Sequence, residues 1–490
     1  MKLKFFLLIF FVPFLSFSQS FGFEEESGAG EGLLPFSLDV SGKIEAGPVL
    51  FFNSFTDKKD ARDFYILDFF NADLNFDING KNAQAFFGFN LSYKAFEELA
   101  DGDFKLYPPA LIDEIWLRVF FERFTIEAGF MKMRWGRMYS PGPLDILNPI
   151  DYSDLTNLSD SRAMKIARPM FHASYSIGDF SKVEAVFLPN FAPHRFARDG
   201  RWVPEQYTNV TSVYAGGILN RALQNYPSYA SVIQSAFHGI LGSYSFDYPE
   251  FPDTSTPDYS QAGLRFNTVI GSVDLGFQYF YGYYPRPSVS LNGVDNFVGN
   301  LVSQLPSSPT PDFGLLSPHI EYSRYHQIGA DYSQVLFGFT VRAEFAAHIT
   351  EDVLGDDGNV KNPFLAWSLG FDRDIIAGIN INVQFNETIR LLDNMVIKNP
   401  AIDCEGASGV TSTRLILQIS KSFFMERLEC KIVNIWDMED SGLALIPSVT
   451  WSENDMRIEL SAGIFTGDKS SELGQYADNA YIKLKLVYLF

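Results

Sequence analysis

The sequence has little of what marks a soluble enzyme or a helical membrane protein. Basic residues are scarce, with 38 Lys and Arg against 59 Asp and Glu, and the net charge of −21 disfavours nucleic-acid binding. There are two cysteines, and because Cys430 falls on the apolar face of a predicted strand, we expect Cys404 and Cys430 to remain separate thiols. The histidines lack metal-ligand spacing, and no nucleophile elbow or phosphate loop is present, so neither enzyme activity nor a cofactor is expected.

Long hydrophobic runs are missing after the amino-terminus. There, Lys2 and Lys4 precede a short apolar run and small residues, which is the pattern of a cleaved secretory signal peptide. No later stretch is long enough for a spanning helix, and a closed barrel is the other backbone that satisfies all its hydrogen bonds in lipid. We expect a signal peptide at 1–18, a flexible periplasmic lead-in at 19–34 and a barrel at 35–490.

The carboxy-terminal ten residues predict a strand that spans a bilayer. Counting back in twos gives an unbroken apolar face made of Phe490, Tyr488, Leu486, Leu484 and Ile482. Lys483 and Lys485 lie on the opposite, mixed face, because alternate side chains of a strand point to opposite sides. The segment resembles the closing strand of bacterial outer-membrane barrels, which implies recognition by the barrel-assembly machinery through Tyr488 and Phe490.

Period-2 alternation recurs along the chain and predicts eighteen strands, with sixteen as the alternative. Every second connection is short, and these turns include 79–81, 122–123, 178–179, 271, 333–335 and 452–454. The connections between them are mostly longer, with the largest at 135–166, 190–258 and 284–318. The fold class predicted is an all-β transmembrane antiparallel barrel with short periplasmic turns and long extracellular loops, of which 135–166 and 190–258 are candidates to fold over or into the lumen.

The segment after the fifth predicted strand carries the sharpest local motif. Trp135 and Gly136 end a Gly-containing strand, and the loop that follows contains Asn148-Pro149-Ile150-Asp151. This stretch resembles the outer-membrane barrel family labelled DUF1302 over roughly residues 128–170. The resemblance implies a porin-like barrel with an ordered loop in the lumen and supplies no catalytic residues.

Basic residues cluster around that loop, and they have two interpretations. They could bind anionic solutes at a constriction, or they could contact lipopolysaccharide-like head groups or pair with Asp145, Asp151 and Asp154. The cluster consists of Lys132, Arg134, Arg137, Lys165 and Arg168.

Charges predicted to face the lumen differ between early and late strands. The early set is mostly acidic and comprises Asp39, Asp73, Asp77, Glu114 and Glu127, with Arg118. The late set is mostly basic and comprises Arg414, Arg427, Lys431, Arg457, Lys483 and Lys485, with Glu429 and Glu459. Two sectors of opposite sign would create a transverse field in a water-filled pore, whereas pairing between neighbouring strands would remove it.

These features favour a porin or substrate-selective channel for passive diffusion of small solutes, in contact with outer-membrane lipid. The alternatives are a surface adhesin, or a transporter of apolar molecules gated by the aromatic-rich loop 190–258. That loop could also simply build a small core of its own. The solute, its charge and the oligomeric state are left open.

Overall fold

The computed structural model describes most of the region expected to form the barrel. The described residues are 36–52, 64–65, 70–92, 95, 110–197, 200–204, 251–290, 319–357, 360–392 and 409–490, with a few between 219 and 303. The expected signal peptide and lead-in, Cys404 and most of loop 190–258 lie outside them. No helix within the described residues is long and apolar enough to cross a membrane.

Eighteen antiparallel strands of 8 to 13 residues form one closed sheet. The strands are β1 Phe36–Ala46, β2 Asn71–Gly80, β3 Ala83–Ser92, β4 Ile112–Phe120, β5 Phe124–Met131, β6 Arg168–Ile177, β7 Ser181–Leu188, β8 Gln261–Ile270, β9 Val273–Tyr283, β10 Arg324–Leu336, β11 Phe339–Thr350, β12 Phe364–Asp374, β13 Ile379–Arg390, β14 Thr411–Phe423, β15 Leu428–Asp437, β16 Gly442–Glu453, β17 Met456–Thr466 and β18 Tyr481–Leu489. Each strand pairs with its neighbours in the chain.

The sheet closes where β1 meets β18. Lys43 pairs with Leu489 and Ala46 with Leu486, and the short strand Val49–Phe51 continues the pairing with β18. Within the described residues, closure therefore pairs both edges of the barrel sheet. The predicted all-β antiparallel barrel is therefore confirmed, with eighteen strands rather than sixteen.

Short turns and long loops lie at opposite rims of the barrel. We call these the short-turn rim and the long-loop rim. The short turns are 81–82, 121–123, 178–180, 271–272, 337–338, 375–378, 424–427 and 454–455, and the largest long loops are 132–167, 189–260 and 284–323. The start of β1 and the end of β18 both lie at the short-turn rim.

One predicted turn was wrong. Residues 333–335 continue β10, and the chain reverses at Phe337 and Gly338 instead. Both residues have positive φ, 52° and 78°, which matches the right-handed twist of a two-residue hairpin. Gly338 was the local signal for this turn, because glycine adopts positive φ without steric cost.

The two faces of β18 divide as the alternation predicted. Ile482, Leu486 and Phe490 are 37%, 46% and 41% exposed on the outer wall, whereas Lys483 and Val487 are buried on the inner one. The same division holds on β9, where Phe277 is exposed and Gln278 is buried. Cys430 on β15 is a free thiol.

Candidate functional site: the inner wall and the loop that crosses it

Polar side chains of β2 to β6 form a hydrogen-bonded chain along the inner wall. Gln84 donates to Asp77 Oδ1 at 3.1 Å, and Arg118 donates to Gln84 Oε1 at 3.1 Å. Arg118 also forms an ion pair with Glu127, whose other oxygen lies 2.7 Å from His172 Nδ1. Four neighbouring strand pairs are thus cross-linked by side chains as well as by the backbone.

The chain of contacts continues across β7 to β10. His172 Nε2 lies 3.5 Å from Glu184 Oε1, and Asn267 donates to Glu184 Oε2 at 2.6 Å. Arg265 donates to Asn267 at 2.9 Å and forms an ion pair with Asp331. Nearly half of the wall therefore carries buried charges that are compensated by partners, as burial of charge requires.

Loop 132–167 leaves β5 and binds the inner face of β11, six strands further round the barrel. Glu344 accepts three backbone N–H groups of this loop, from Arg137 at 2.5 Å, Met138 at 2.9 Å and Leu144 at 3.2 Å. Glu344 is 3% exposed. A carboxylate that accepts several N–H groups away from water makes strong, charge-assisted hydrogen bonds, so Glu344 anchors the loop.

Two glycines let the loop close around this carboxylate. A Cβ atom at Gly136 or Gly142 would collide with the Glu344 side chain. Gly136 also has φ of +87°, which a residue with a side chain adopts only at a cost. The glycines of the Trp-Gly pair and of the Pro-Gly-Pro segment are therefore explained by the close contact between the loop backbone and the Glu344 side chain.

Four glutamines on the inner wall bind the loop further. Gln278 donates to the carbonyl oxygen of Leu144, and Gln327 donates to that of Pro143. The Gln384 side chain donates to the Ser140 carbonyl oxygen, and its Oε1 accepts the Ser140 N–H. Gln418 donates to the Tyr139 hydroxyl, and all these distances are 2.9 to 3.2 Å. These glutamines belong to β9, β10, β13 and β14. The sequence pattern did not single out these glutamines as candidate binding residues.

Asn148 ties the two ends of the loop together. Its Oδ1 accepts the Met133 N–H at 2.7 Å, and its Nδ2 donates to the carbonyl oxygens of Met131 and Ile166 at 2.8 and 2.9 Å. Pro149 follows and fixes the backbone there. All hydrogen-bonding atoms of the Asn148 side chain thus have a role in the motif.

The loop also packs against apolar patches of the inner wall. Trp135 and Leu147 lie in a cluster with Phe280 of β9. A second cluster joins Leu155 of the loop to Trp202 and to inner-wall residues of β14 to β18. The loop is therefore held on two sides of the lumen.

Basic residues of the loop are paired with carboxylates. Lys132 contacts Asp113, and Arg137 lies 2.5 Å from Asp331. Lys165 lies 2.6 Å from Asp145, and both side chains are almost fully buried. Burial raises the pKa of Asp145, and the nearby Lys165 charge opposes that shift.

The remaining loop charges also have partners. Arg134 lies 3.9 Å from Asp145 Oδ2, and the Arg168 guanidinium contacts the carbonyl oxygen of Asn190. Asp151 pairs with Arg195 at 3.0 Å. These contacts favour the pairing interpretation of the basic cluster, although the partners are mostly wall and loop residues other than those expected.

Wall charges of the early and late strands lie in different sectors. In the early sector, Glu114 accepts the Lys132 N–H at 2.6 Å, next to Arg118 and Glu127. In both sectors neighbouring charges pair, as in Lys43 with Asp73 at 3.1 Å and Lys485 with Glu459 at 3.3 Å. Such pairing weakens a transverse field.

Two late-strand cations bind the long loops instead. Arg414 pairs with Asp437 at 2.5 Å and with Glu472 at 3.0 Å, near the long-loop rim. Lys483 donates to Thr156 Oγ1 at 3.2 Å and to Asn157 Oδ1 at 2.9 Å. Arg457 lies on the inner face of β17, near the short-turn rim. Within the described residues there is no group of three side chains suited to a metal ion.

Solved structures with a similar overall arrangement are outer-membrane barrels. OccAB4 of Acinetobacter baumannii is 8% identical over 93% of this chain and 98% of its own, with a TM-score of 0.45. A BenF-like porin of Pseudomonas fluorescens Pf-5 is 7% identical over 93% and 98%, with a TM-score of 0.44. OmpF of Salmonella typhi is 9% identical over 93% and 98%, with a TM-score of 0.38.

No family model matches this chain, and no curated protein matches it. The resemblance to the DUF1302 family is therefore not shown by these comparisons.

Proposed function

We propose that this protein is an outer-membrane channel through which small solutes diffuse passively, with loop 132–167 setting the selectivity. The observation that carries the proposal is a polar inner wall that holds a long loop across the lumen of a closed barrel. An eighteen-stranded barrel is wide enough for an aqueous passage when its interior is not filled by side chains alone. The loop narrows that passage.

The outer wall has the composition expected of a surface in lipid. Leu117, Phe277 and Leu460 are each about half exposed in the middle of their strands, at 51%, 50% and 50%. A contiguous apolar surface of this kind is unfavourable in water and is typical of a membrane-facing belt. Exposed aromatic residues accumulate at the short-turn rim, as in an interfacial girdle, and include Phe36, Phe121, Phe180, Phe337, Phe424 and Phe490.

The two rims differ in a way that indicates how the barrel is oriented in the membrane. Short turns face the periplasm and long loops face the outside in bacterial outer-membrane barrels. Export by the signal peptide at 1–18 and insertion through Tyr488 and Phe490 by the barrel-assembly machinery complete the proposal. Membership of the DUF1302 family is part of it.

Solutes in the passage would contact charges of both signs rather than of one sign. Glu114, Arg118 and Glu127 on the wall, with Lys132 and Arg137 at the loop, are the residues that we propose to line the passage. Because these charges are paired, we expect the channel to select polar solutes by size and dipole, with weak preference for ions of one sign.

The experiment is to refold the mature chain into a planar bilayer and to record single-channel current under a salt gradient. We expect stable conductance steps and a small reversal potential. A large reversal potential would contradict the mixed-surface argument. A folded, heat-modifiable barrel that passes no current would exclude the channel and leave the adhesin and the transporter of apolar molecules.

The loop's role is tested with Glu344→Gln. The amide group places an N–H₂ where the loop offers its own N–H donors, so the anchor weakens and we expect larger, noisier conductance steps. Glu439→Gln is the matched control, because Glu439 also accepts a backbone N–H, from Thr413 at 2.7 Å, but outside loop 132–167. Identical traces from both variants would show that the loop does not limit the current.

A further inference from the structure

A cavity of about 360 Å³ opens near the long-loop rim, and the residues that line it belong to β9, β10, β11 and the loop that follows. Tyr281, His326 and Ile349 lie side by side on these three strands, in register. Arg324, Thr350 and Glu351 complete the polar part of the lining. The cavity is unrelated to the inner-wall network.

The cavity faces outward, on the side of the belt. Ile328, two residues along β10 from His326, is 55% exposed, and the neighbouring Phe277 of β9 is 50% exposed. Alternate residues of a strand share a face, so His326 and Ile328 are both on the outer wall. An apolar surface therefore leads from the cavity towards the short-turn rim.

The position of the cavity along the strand matches a membrane interface. Residues 327–336, ten in all, separate His326 from the turn at Phe337. A tilted strand crosses the hydrocarbon layer in about 9–11 residues. With the aromatic turns at one interface, His326 and Arg324 lie at the other, where lipid headgroups are found.

Arg324 is oriented by aromatic rings. Its guanidinium lies 4.2 Å from the ring centroid of Tyr283 and 5.1 Å from that of Tyr281, and it donates to the carbonyl oxygen of Asp258 at 2.6 Å. A guanidinium has five N–H donors in a planar fork that suits phosphate, and this hydrogen bond uses one. The two tyrosine rings therefore hold the Arg324 guanidinium at the cavity, where its other N–H groups can donate to a ligand.

His326 supplies a second donor. The Tyr279 hydroxyl lies 2.7 Å from its Nδ1. When the hydroxyl donates, the neutral imidazole carries its proton on Nε2, which can then donate to a phosphate oxygen. The hydrogen bond with Tyr279 thus occupies Nδ1 of His326 and leaves Nε2 for a ligand.

Glu351 makes the site unsuited to a bare phosphate. Glu351 lines the same cavity, and its negative charge would repel an anion that approached closely. A carboxylate accepts hydrogen bonds from hydroxyl groups, and tyrosine rings offer flat apolar faces to a sugar. The combination fits a phosphate attached to a hydroxyl-bearing ring.

We infer that this cavity binds the phosphorylated sugar headgroup of a membrane glycolipid. The phosphate contacts Arg324 and His326, a sugar hydroxyl donates to Glu351, and the acyl chains follow Ile328 and Phe277 down the outer wall. The inference rests on the proposed membrane location but not on channel activity, so it survives a barrel that passes no current.

The test uses the full mature chain, folded in detergent and examined by native mass spectrometry. The probes are a bisphosphorylated diglucosamine glycolipid, its dephosphorylated form, glucosamine 6-phosphate and inorganic phosphate. We expect one phosphorylated glycolipid to be retained per chain. Arg324→Gln should weaken its retention about tenfold, because a charge-assisted pair of hydrogen bonds is lost.

Arg373→Gln is the matched control, since Arg373 also stacks on an aromatic ring, that of Phe339 at 4.6 Å, and donates to a backbone carbonyl, that of Phe337. It lies near the short-turn rim and should retain the lipid normally. Heat-modifiability confirms folding of each variant. Glu351→Gln is a second variant, which should increase binding of inorganic phosphate several-fold by removing the repulsion.

Three results would overturn the inference. Equal retention by the wild type, Arg324→Gln and Arg373→Gln would mean non-specific lipid. Tighter binding of glucosamine 6-phosphate or inorganic phosphate than of the glycolipid would assign the cavity to a soluble ligand. A stable oligomer that forms without lipid and is lost in Arg324→Gln would assign it to a second copy of this chain.

Discussion

Individual side chains join the long loops to each other, and His194 is one of them. Its Nδ1 accepts the Ile150 N–H at 2.9 Å, and its ring packs edge-on against Tyr152. Burial lowers the pKa of His194 to about 3, so the imidazole is neutral in the folded protein at physiological pH. Protonation would turn the acceptor into a donor and break the contact with loop 132–167.

This arrangement predicts a loss of stability in acid. Because the folded pKa lies below the unfolded value of 6.5, the stabilisation is complete above pH 6.5 and is lost as the pH falls towards 3. The slope is at most about 1.4 kcal/mol per pH unit. The protection factor of the Ile150 amide, which is its hydrogen exchange corrected for the intrinsic rate, should decrease over this range.

The His194→Gln variant is the control, because its amide oxygen can accept the same N–H but does not titrate. Its Ile150 exchange, corrected for intrinsic rates, should be flat with pH. The neighbouring Glu472 does not interfere above pH 4.5, since the charge of Arg286 lowers the pKa of its carboxyl group. Equal pH dependence in both proteins would assign the effect to another group.

Among the short turns, the β10–β11 hairpin carries local strain. Phe337 is 95% exposed and has a positive φ, which costs an L-residue about 1–2 kcal/mol unless it is Gly, Asn or Asp. Phe337→Asn would create an Asn-Gly turn, the preferred sequence for this geometry. We expect the free energy of unfolding in detergent micelles, measured with urea, to rise by about 1 kcal/mol.

Phe339→Asn tests whether relief of backbone strain is the cause. Phe339 is the first residue of β11 and packs under the Arg373 guanidinium, so its replacement removes a contact and relieves no strain. It should lower the free energy of unfolding. A Phe337→Asn variant no more stable than the wild type would refute the strain argument.

For the long loops, order could be predicted from the sequence, but the wall residue that anchors them could not. An ordered loop was expected over residues 135–166, and Asn148 does join the two ends of loop 132–167. Its anchor on β11 was not foreseen, because Glu344 and Arg137 are 207 residues apart. Nothing in the local pattern of β11 distinguishes Glu344 from any other inward-facing acid.

At the scale of the whole molecule, a substituted charge should destabilise the barrel more on the outer wall than on the inner wall. Leu460 is half exposed in the middle of β17. In a bilayer, Leu460→Arg should lower the free energy of unfolding by about 2–4 kcal/mol. Asn75→Arg, which places the same side chain on the inner wall, should cost clearly less. Reversible urea unfolding from lipid vesicles measures both.

A surface in water would respond differently. If the outer wall faced solvent, Leu460→Arg would change stability by no more than about 0.5 kcal/mol. That outcome would also remove the basis for the lipid site on β9 to β11. Leu460→Ala separates the cost of the charge from the loss of apolar surface.

The sequence by itself determined the fold class, the inner and outer faces of the strands and the division into a short-turn rim and a long-loop rim, whereas the choice between sixteen and eighteen strands was left to the structure. These properties follow from local causes, since alternation has a period of two and turns depend on a few adjacent residues. The tertiary structure decided where loop 132–167 lies and which carboxylate each buried cation meets. Those contacts join residues up to 327 positions apart, as between Thr156 and Lys483, and they exist only once the barrel has closed.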